Sequence, residues 1–195
     1  MELNQTAYVI LGILAIHPLQ SGYEIRKTVQ QSLGFFWGES YGQIYPTLKR
    51  LAAEGLIVPA VSAARNRKAR QEYSITPAGQ LSLQQWLAVP WRDNPPRDEF
   101  LLKLFFGAEA PPAVSIEHIR KFQEKNRAML ATLLELESLG RARSAHYPGF
   151  KFWMMTLQFG AAQLRSALEW SESALKMLAE PEAGVTEDLS GLPTV

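Results

Sequence analysis

Few residues in this chain have the type and spacing to do covalent chemistry. Gly38-Glu39-Ser40-Tyr41-Gly42 fits Gly-x-Ser-x-Gly, the pattern that presents a serine nucleophile in α/β-hydrolases. That pattern needs a strand leading into the serine and a helix leaving it, inside a parallel sheet. Here an aromatic link, Phe35-Phe36-Trp37, follows a predicted helix, and no strand–helix–strand alternation occurs anywhere in the sequence. The candidate bases, His118 and His146, fall in or beside predicted helices of the other half of the chain. The pattern therefore reads as a chance match, and no catalytic residue is expected. With His17 the histidines number three, none in a metal-ligand spacing, and the chain has no cysteine. No disulfide, thiolate site, metal or cofactor is expected.

What remains is chemistry toward a polyanion. Lys49, Arg50, Arg65, Arg67, Lys68 and Arg70 stand against the single acidic Glu54 between positions 49 and 70. Residues 1–90 carry eight basic and five acidic side chains, and residues 91–195 twelve basic and fourteen acidic, so a net +1 conceals a basic N-terminal half. Such a cluster suits a nucleic-acid backbone. A solvated loop would carry the same charges, so the elements that hold them must decide.

Those elements are legible. Leu3, Ala7, Ile10, Leu11 and Leu14 recur at helical spacing and predict a first helix over about 4–16, stopped by His17-Pro18. Ser21-Gly22-Tyr23-Glu24 has the form of a capping box and opens a second helix running to about Leu33, with Gly34 as its stop. A third is predicted over 40–54 with Leu48, Leu51 and Ala52 as its apolar stripe, Pro46 in its first turn or at a kink, and Gly55 closing it. Two strand signals follow, Leu56-Ile57-Val58 and Glu72-Tyr73-Ser74-Ile75, with the basic stretch between them. Thr76-Pro77 then opens a fourth helix, cap followed by proline at its first position. Helix, helix, helix, strand, basic loop, strand, helix is the order of a winged helix-turn-helix.

The sequence thus predicts a mainly α fold with a small β-hairpin. A winged helix-turn-helix domain spans 1–89, a proline-rich linker 90–97, and an all-α dimerisation domain 98–179. The segment 180–195 has four acidic residues and no basic one, and is expected to be disordered. The helical half contains a short helix over about 97–106 and long ones over about 115–139 and 149–178. The last is apolar on two faces. Phe150, Trp153, Leu157, Ala161, Leu164, Leu168, Leu175 and Leu178 form one stripe, interrupted by Ser171, and Phe152, Met155, Phe159, Ala162, Trp170 and Met177 the other. Two apolar faces need two covers, which implies a second copy of the chain. Asn126 falls in a similar seam of the preceding helix, either fixing register or lying at the seam edge.

Several stretches together resemble the PadR family of bacterial and archaeal transcriptional regulators. They are Ile10-Leu11-Gly12-Ile13-Leu14, Ser21-Gly22-Tyr23-Glu24-Ile25, Tyr45-Pro46-Thr47-Leu48-Lys49-Arg50-Leu51, Glu54-Gly55-Leu56-Ile57 and Tyr73-Ser74-Ile75-Thr76-Pro77-Ala78-Gly79. They cover the first 80 or so residues in order. The second half, with Lys103-Leu104-Phe105-Phe106-Gly107 and an aromatic-rich last helix ending in Leu168-Glu169-Trp170, resembles the longer of the family's dimerisation domains more loosely. The resemblance implies a homodimer on an inverted-repeat operator in double-stranded DNA, usually as a repressor, with some members answering to phenolic acids or other small aromatic effectors. The wing tip, Ser62 to Lys68, holds no recognisable motif, so wing contacts are assigned by charge.

The expected DNA-binding set follows. Ser40, Tyr41, Gln43 and Tyr45 stand near the start of the third helix, where a major-groove helix reaches base edges. Gln43 suits adenine, or a phosphate or water. Tyr45 can touch a phosphate or pack under Pro46. Lys49 and Arg50 lie one turn on, Lys49 as a backbone contact. Ser21 and Tyr23 open the second helix, where Ser21 can be occupied as the cap. Arg65, Arg67, Lys68 and Arg70 line the wing, although Arg70 can instead pair with Glu72 or Glu54. The dimer interface is expected at Phe105, Phe150, Trp153, Leu157, Leu164, Leu168 and Trp170. Trp37, Trp86, Trp91, Trp153 and Trp170 are read as core, with Trp91 in the linker the best candidate to meet an effector. No apolar run reaches the roughly 20 residues a bilayer span needs, and Met1-Glu2-Leu3-Asn4 has no basic leader, which favours the cytoplasm. A winged helix can also bind protein, a rival separated from DNA binding by its weaker salt dependence.

Overall fold

The computed structural model describes residues 3–37, 41–61, 71–91, 97–144 and 146–180. Helix α1, Gln5–Ile16, starts at Asn4, whose Oδ1 accepts from the Ala7 N–H at 3.1 Å. It buries Ala7, Ile10, Leu11, Ile13 and Leu14 and is the centre of the N-terminal core. After His17-Pro18 the chain turns at Leu19 with φ 60, a left-handed value leucine rarely adopts. The turn delivers strand β1, Gln20–Ser21, and then helix α2, Gly22–Thr28. The expected capping box is formed: the Glu24 N–H donates to Ser21 Oγ at 3.4 Å, and the Ser21 N–H to Glu24 Oε2 at 2.8 Å. Past Thr28 the helix widens into a π-helical turn, Val29–Leu33, where the sequence predicts regular helix up to Gly34.

Helix α3 is Ile44–Ala53, entered through a 3₁₀ turn at Tyr41–Gln43 rather than beginning at Ser40. Pro46 lies in its first turn, where a missing N–H costs no helical bond. Gly55, at φ 71, closes it, with the Leu56 N–H donating to Leu51 O at 2.9 Å and the Gly55 N–H to Ala52 O at 3.1 Å. Those two bonds satisfy carbonyls the helix leaves open. Strands β2, Ile57–Val61, and β3, Gln71–Ile75, pair antiparallel with Ile57 opposite Ile75 and Val61 opposite Gln71, the base of the expected wing. β1 adds a third, unpredicted strand on the other edge of β3, Gln20 opposite Tyr73 and Ser21 opposite Glu72.

Helix α4, Pro77–Ala88, is capped by Thr76 as expected. The Thr76 hydroxyl accepts from the Gly79 N–H at 3.1 Å and faces Gly55 O at 2.8 Å and Leu56 O at 3.0 Å as its acceptors. One side chain thus ties the end of α3, the base of the wing and the start of α4. Gly79 permits the approach: a Cβ there would sit 2.1 Å from Leu56 O. Farther along α4, Trp86 stacks on Tyr8 of α1 at 4.6 Å.

The chain divides into two compact units, Met1–Asn94 and Pro95–Val195. The second holds α5, Glu99–Phe105, capped by Asp98, then α6, Pro112–Ser144, and α7, Phe150–Ala179. α6 and α7 are joined by a short turn and run antiparallel. Trp153 lies on Gly140, where a Cβ would meet the ring at 2.5 Å, and Gln158 Nε2 donates to Glu137 Oε1 at 3.3 Å. The Arg141 guanidinium and the Gln158 amide hold the Glu137 carboxyl below the ordinary carboxylate value. Toward the other end Phe100 stacks on Phe122 at 4.3 Å, and Trp170 meets both edge-on at 5.9 Å. Asn126 donates to Phe122 O of its own helix at 2.8 Å.

The two stripes of α7 have different fates. Leu157, expected at the dimer interface, is 1% exposed within the protomer, and Phe150, Trp153, Leu164 and Leu168 are half-buried on the same side. The hairpin with α6 uses this stripe as its own core. Phe152, Met155, Phe159 and Met177 are left exposed, as is Phe105 of α5 at 81%, while Trp170 is partly covered by its aromatic neighbours. No described helix is long and apolar enough to cross a membrane.

Gly79→Ala forces a methyl into the Leu56 carbonyl, and overpacking of this kind costs about 2–3 kcal/mol. Urea denaturation should report a lower midpoint at unchanged slope. An unaltered midpoint would show that α4 can shift freely off the wing base.

Candidate nucleic-acid interface

α3 has one buried side and one open side. Ile44, Thr47, Leu48 and Leu51 are each 4% exposed or less and pack into the core around α1. Gln43, Tyr45, Pro46 and Lys49 are exposed, and Tyr45 and Pro46 each lie one turn before Lys49 on the open side of the helix. Gln43 is the last residue before α3 and spends no side-chain hydrogen bond on capping it. Tyr45 is 53% exposed, and the edge of its ring rests against Gly22 at the first position of α2. Its packing partner is therefore the start of α2. Tyr23, also exposed, follows directly.

Two of the expected contacts have other work. Ser21 is 4% exposed, and its hydroxyl donates to Glu24 Oε2 at 2.7 Å while accepting from the Glu24 N–H. The capping box uses it, which takes its hydroxyl out of the expected DNA set. Arg50 donates from Nη2 to Asn4 Oδ1 at 2.9 Å, the oxygen that also caps α1. Its Nε is buried without a hydrogen-bond partner among the described residues, 4.0 Å from Glu54 Oε1. The guanidinium thus fastens the last turn of α3 to the start of α1. The spacing of Asn4 and Arg50 gave no hint of this, since the pair is 46 residues apart. Ser40, the Tyr41 side chain and the wing residues Arg65, Arg67, Lys68 and Arg70 lie outside the described residues.

Among the described residues no group of three or more His, Asp or Glu could hold a metal ion. Of the tryptophans, Trp86, Trp153 and Trp170 are engaged in the packing above, and Trp91 is 81% exposed.

Residues 10–85 match the transcriptional regulator PadR-like family, and residues 96–179 match the virulence activator alpha C-terminal family. The chain is 28% identical over 179 residues to the negative transcriptional regulator PadR of Bacillus subtilis (strain 168), covering 88% of this chain and 96% of that one. The crystal structure of that relative in complex with operator DNA superposes with a TM-score of 0.78, at 28% identity over 90% of this chain and 99% of the other. Residues 10–85 are thus a PadR-like transcriptional-regulator domain, and the chain is similar to PadR over most of its length. The same relative in complex with p-coumaric acid superposes at 0.70, with 28% identity over 89% and 98% of the two chains. The Vibrio cholerae virulence activator AphA does so at 0.71, with 26% identity over 90% and 98%. PadR-like proteins are regulators rather than enzymes, so the Gly-x-Ser-x-Gly run has no hydrolase role. The residues leading toward it, Val29–Leu33, form a helical turn and not a strand.

Arg50→Ala removes a charge-assisted bond from a half-exposed side chain, a loss of about 1 kcal/mol after allowance for solvent screening. Thermal unfolding should occur a few degrees lower, whereas DNA affinity, measured where the variant is fully folded, should hold. A variant that melts like the parent but binds DNA poorly would return Arg50 to the DNA-contacting set.

Proposed function

We propose that this regulator is a cytoplasmic repressor that binds an inverted-repeat operator as a homodimer. α3 enters the major groove, Gln43 and Tyr45 approach base edges or phosphates, and Lys49 and Tyr23 contact the backbone. Arg65, Arg67, Lys68 and Arg70 of the wing lie along the backbone or in the minor groove. The observation that carries the reading is the exposed pair Tyr45 and Lys49, one turn apart on a helix whose opposite face is locked into the core, with exposed Gln43 just before its start. A helix of that kind fits the major groove, and a basic wing follows it in sequence. The relative's name, a negative regulator, and its operator complex support the sign and the target.

The second copy docks on the exposed α7 stripe, Phe152, Met155, Phe159 and Met177, together with Phe105 of α5. These large apolar groups are exposed in the isolated protomer, and Phe152, Met155 and Phe159 adjoin one another at helical spacing. A small aromatic effector releases the operator, in keeping with the p-coumaric acid complex of the relative.

The test begins with selection of duplexes from a random-sequence library by the full chain, followed by fluorescence anisotropy on a recovered duplex across a salt series. Specific, salt-sensitive binding is expected, and Lys49→Ala should lower the log–log salt slope by about 1 per half-site. Failure to enrich any sequence would sink the DNA reading and favour a protein partner. In sedimentation, Phe159→Glu should convert the dimer to monomer; a dimer that survives the charge would locate the interface elsewhere.

A further inference from the structure

The geometry points to Gly22 as a positioning residue for DNA binding: it keeps open the seat in which the Tyr45 ring rests. Gly22 occupies the first position of α2 and is buried. A Cβ built on it would lie 2.7 Å from Tyr45 Cε1 and 3.3 Å from Cδ1, with Leu48 Cδ1 at 3.1 Å. Side-chain carbons do not approach closer than about 3.0 Å, so the Tyr45 ring edge has no room for a methyl there. The backbone itself does not require glycine. Among the described residues the one glycine at positive φ is Gly55, and Gly22 is helical. By helix propensity alone alanine is the better residue at this position. A glycine that local preference disfavours, under a half-exposed tyrosine, points to a role in holding that tyrosine.

The alternative way to relieve a methyl is for the ring to move. Tyr45 is 53% exposed and can swing outward at little cost, whereas Leu48, 1% exposed in the core, need give only a few tenths of an ångström. Alanine at position 22 therefore leaves the fold intact and unseats the tyrosine. A phenol free to rotate loses the orientation that a surface contact requires, since misplacement of about 1 Å suffices to weaken a contact made in one geometry. Gly22 touches no DNA in this account; it acts through Tyr45. The inference rests on the proposed DNA-facing role of Tyr45.

A double-mutant cycle on the full chain tests it, with the duplex recovered by library selection as the probe. Gly22→Ala and Tyr45→Ala should each raise the Kd about tenfold, a change of roughly 1.4 kcal/mol, and the double variant should bind no worse than Tyr45→Ala alone. The melting temperature of Gly22→Ala should equal or exceed that of the parent. Parent-like binding by Gly22→Ala beside a weakened Tyr45→Ala would overturn the positioning role while leaving the interface standing. So would fully multiplicative effects, because Gly22 would then act independently of Tyr45. A melting temperature lowered by Gly22→Ala, or failure to fold, would mean the methyl is forced on the core at Leu48 and would overturn it too. If Tyr45→Ala binds like the parent, the DNA-facing reading of Tyr45 falls, and the positioning role with it.

Discussion

The orientation of α3 depends on one packing constraint, the seating of Ile44, Leu48 and Leu51 against α1. Successive helix positions lie about 100° apart, so turning α3 by one residue would drive Tyr45 or Lys49 toward the core. Burying an unpaired ammonium is costly, and lifting Leu48 into water forfeits about 1.5–3 kcal/mol. The core therefore fixes which side chains of α3 reach solvent as firmly as any contact on the open side could. The other ties of the N-terminal unit support that setting. Arg50 pins the last turn to Asn4, and Thr76 joins the end of the helix to the wing base and α4.

What the sequence disclosed and withheld divides by range. The capping box at Ser21, the Thr76 cap with Pro77, and the stop at Gly55 were legible because each is decided within four or five residues by side chains whose backbone preferences are strong. The start of α3 was not, because Tyr41–Gln43 carries no capping side chain and slips into a tighter turn. Nor was the π turn at Val29–Leu33, where the apolar pair Val29 and Leu33 is four residues apart and fits either helix type. β1 is two residues long and exists only because β3 offers it an edge. The exposure of Tyr45 and Lys49 on the open side of α3 was legible from helical position alone. The Asn4–Arg50 and Gly22–Tyr45 contacts were not legible, because the partners lie far apart along the chain.

α7 shows the same limit in a different form. Both of its stripes satisfy helical periodicity, so periodicity alone could not say which one the protomer keeps. Small residues decided it. Gly140 on α6 admits Trp153, and Gly160 and Ala161 on α7 are buried on the same side as Leu157. Close approach of two helices needs such residues, whereas Phe152, Met155 and Phe159 on the other stripe are all large. Phe150, Trp153, Leu157, Leu164 and Leu168, expected at the dimer interface, all lie on the stripe that the protomer keeps. That stripe is the hairpin's own core.

The modest charge of the chain bears on how such a regulator would select its site. With a net charge of +1, attraction beyond a Debye length of about 10 Å is weak, and binding must come from contacts made at close range. A single half-site engaged by a few side chains, Gln43, Tyr45 and Lys49 among them, would bind loosely. In the proposed dimer the second half-site is met at high effective concentration, and two loose contacts become a tight one only when their separation matches the helical repeat of about 34 Å. Affinity then depends steeply on the distance between two rigid reading helices and less on any one contact. An effector acting on such a dimer would not need to touch α3. A small change in separation would suffice, because the helix is fixed to its own domain by the core and cannot adjust to a displaced partner.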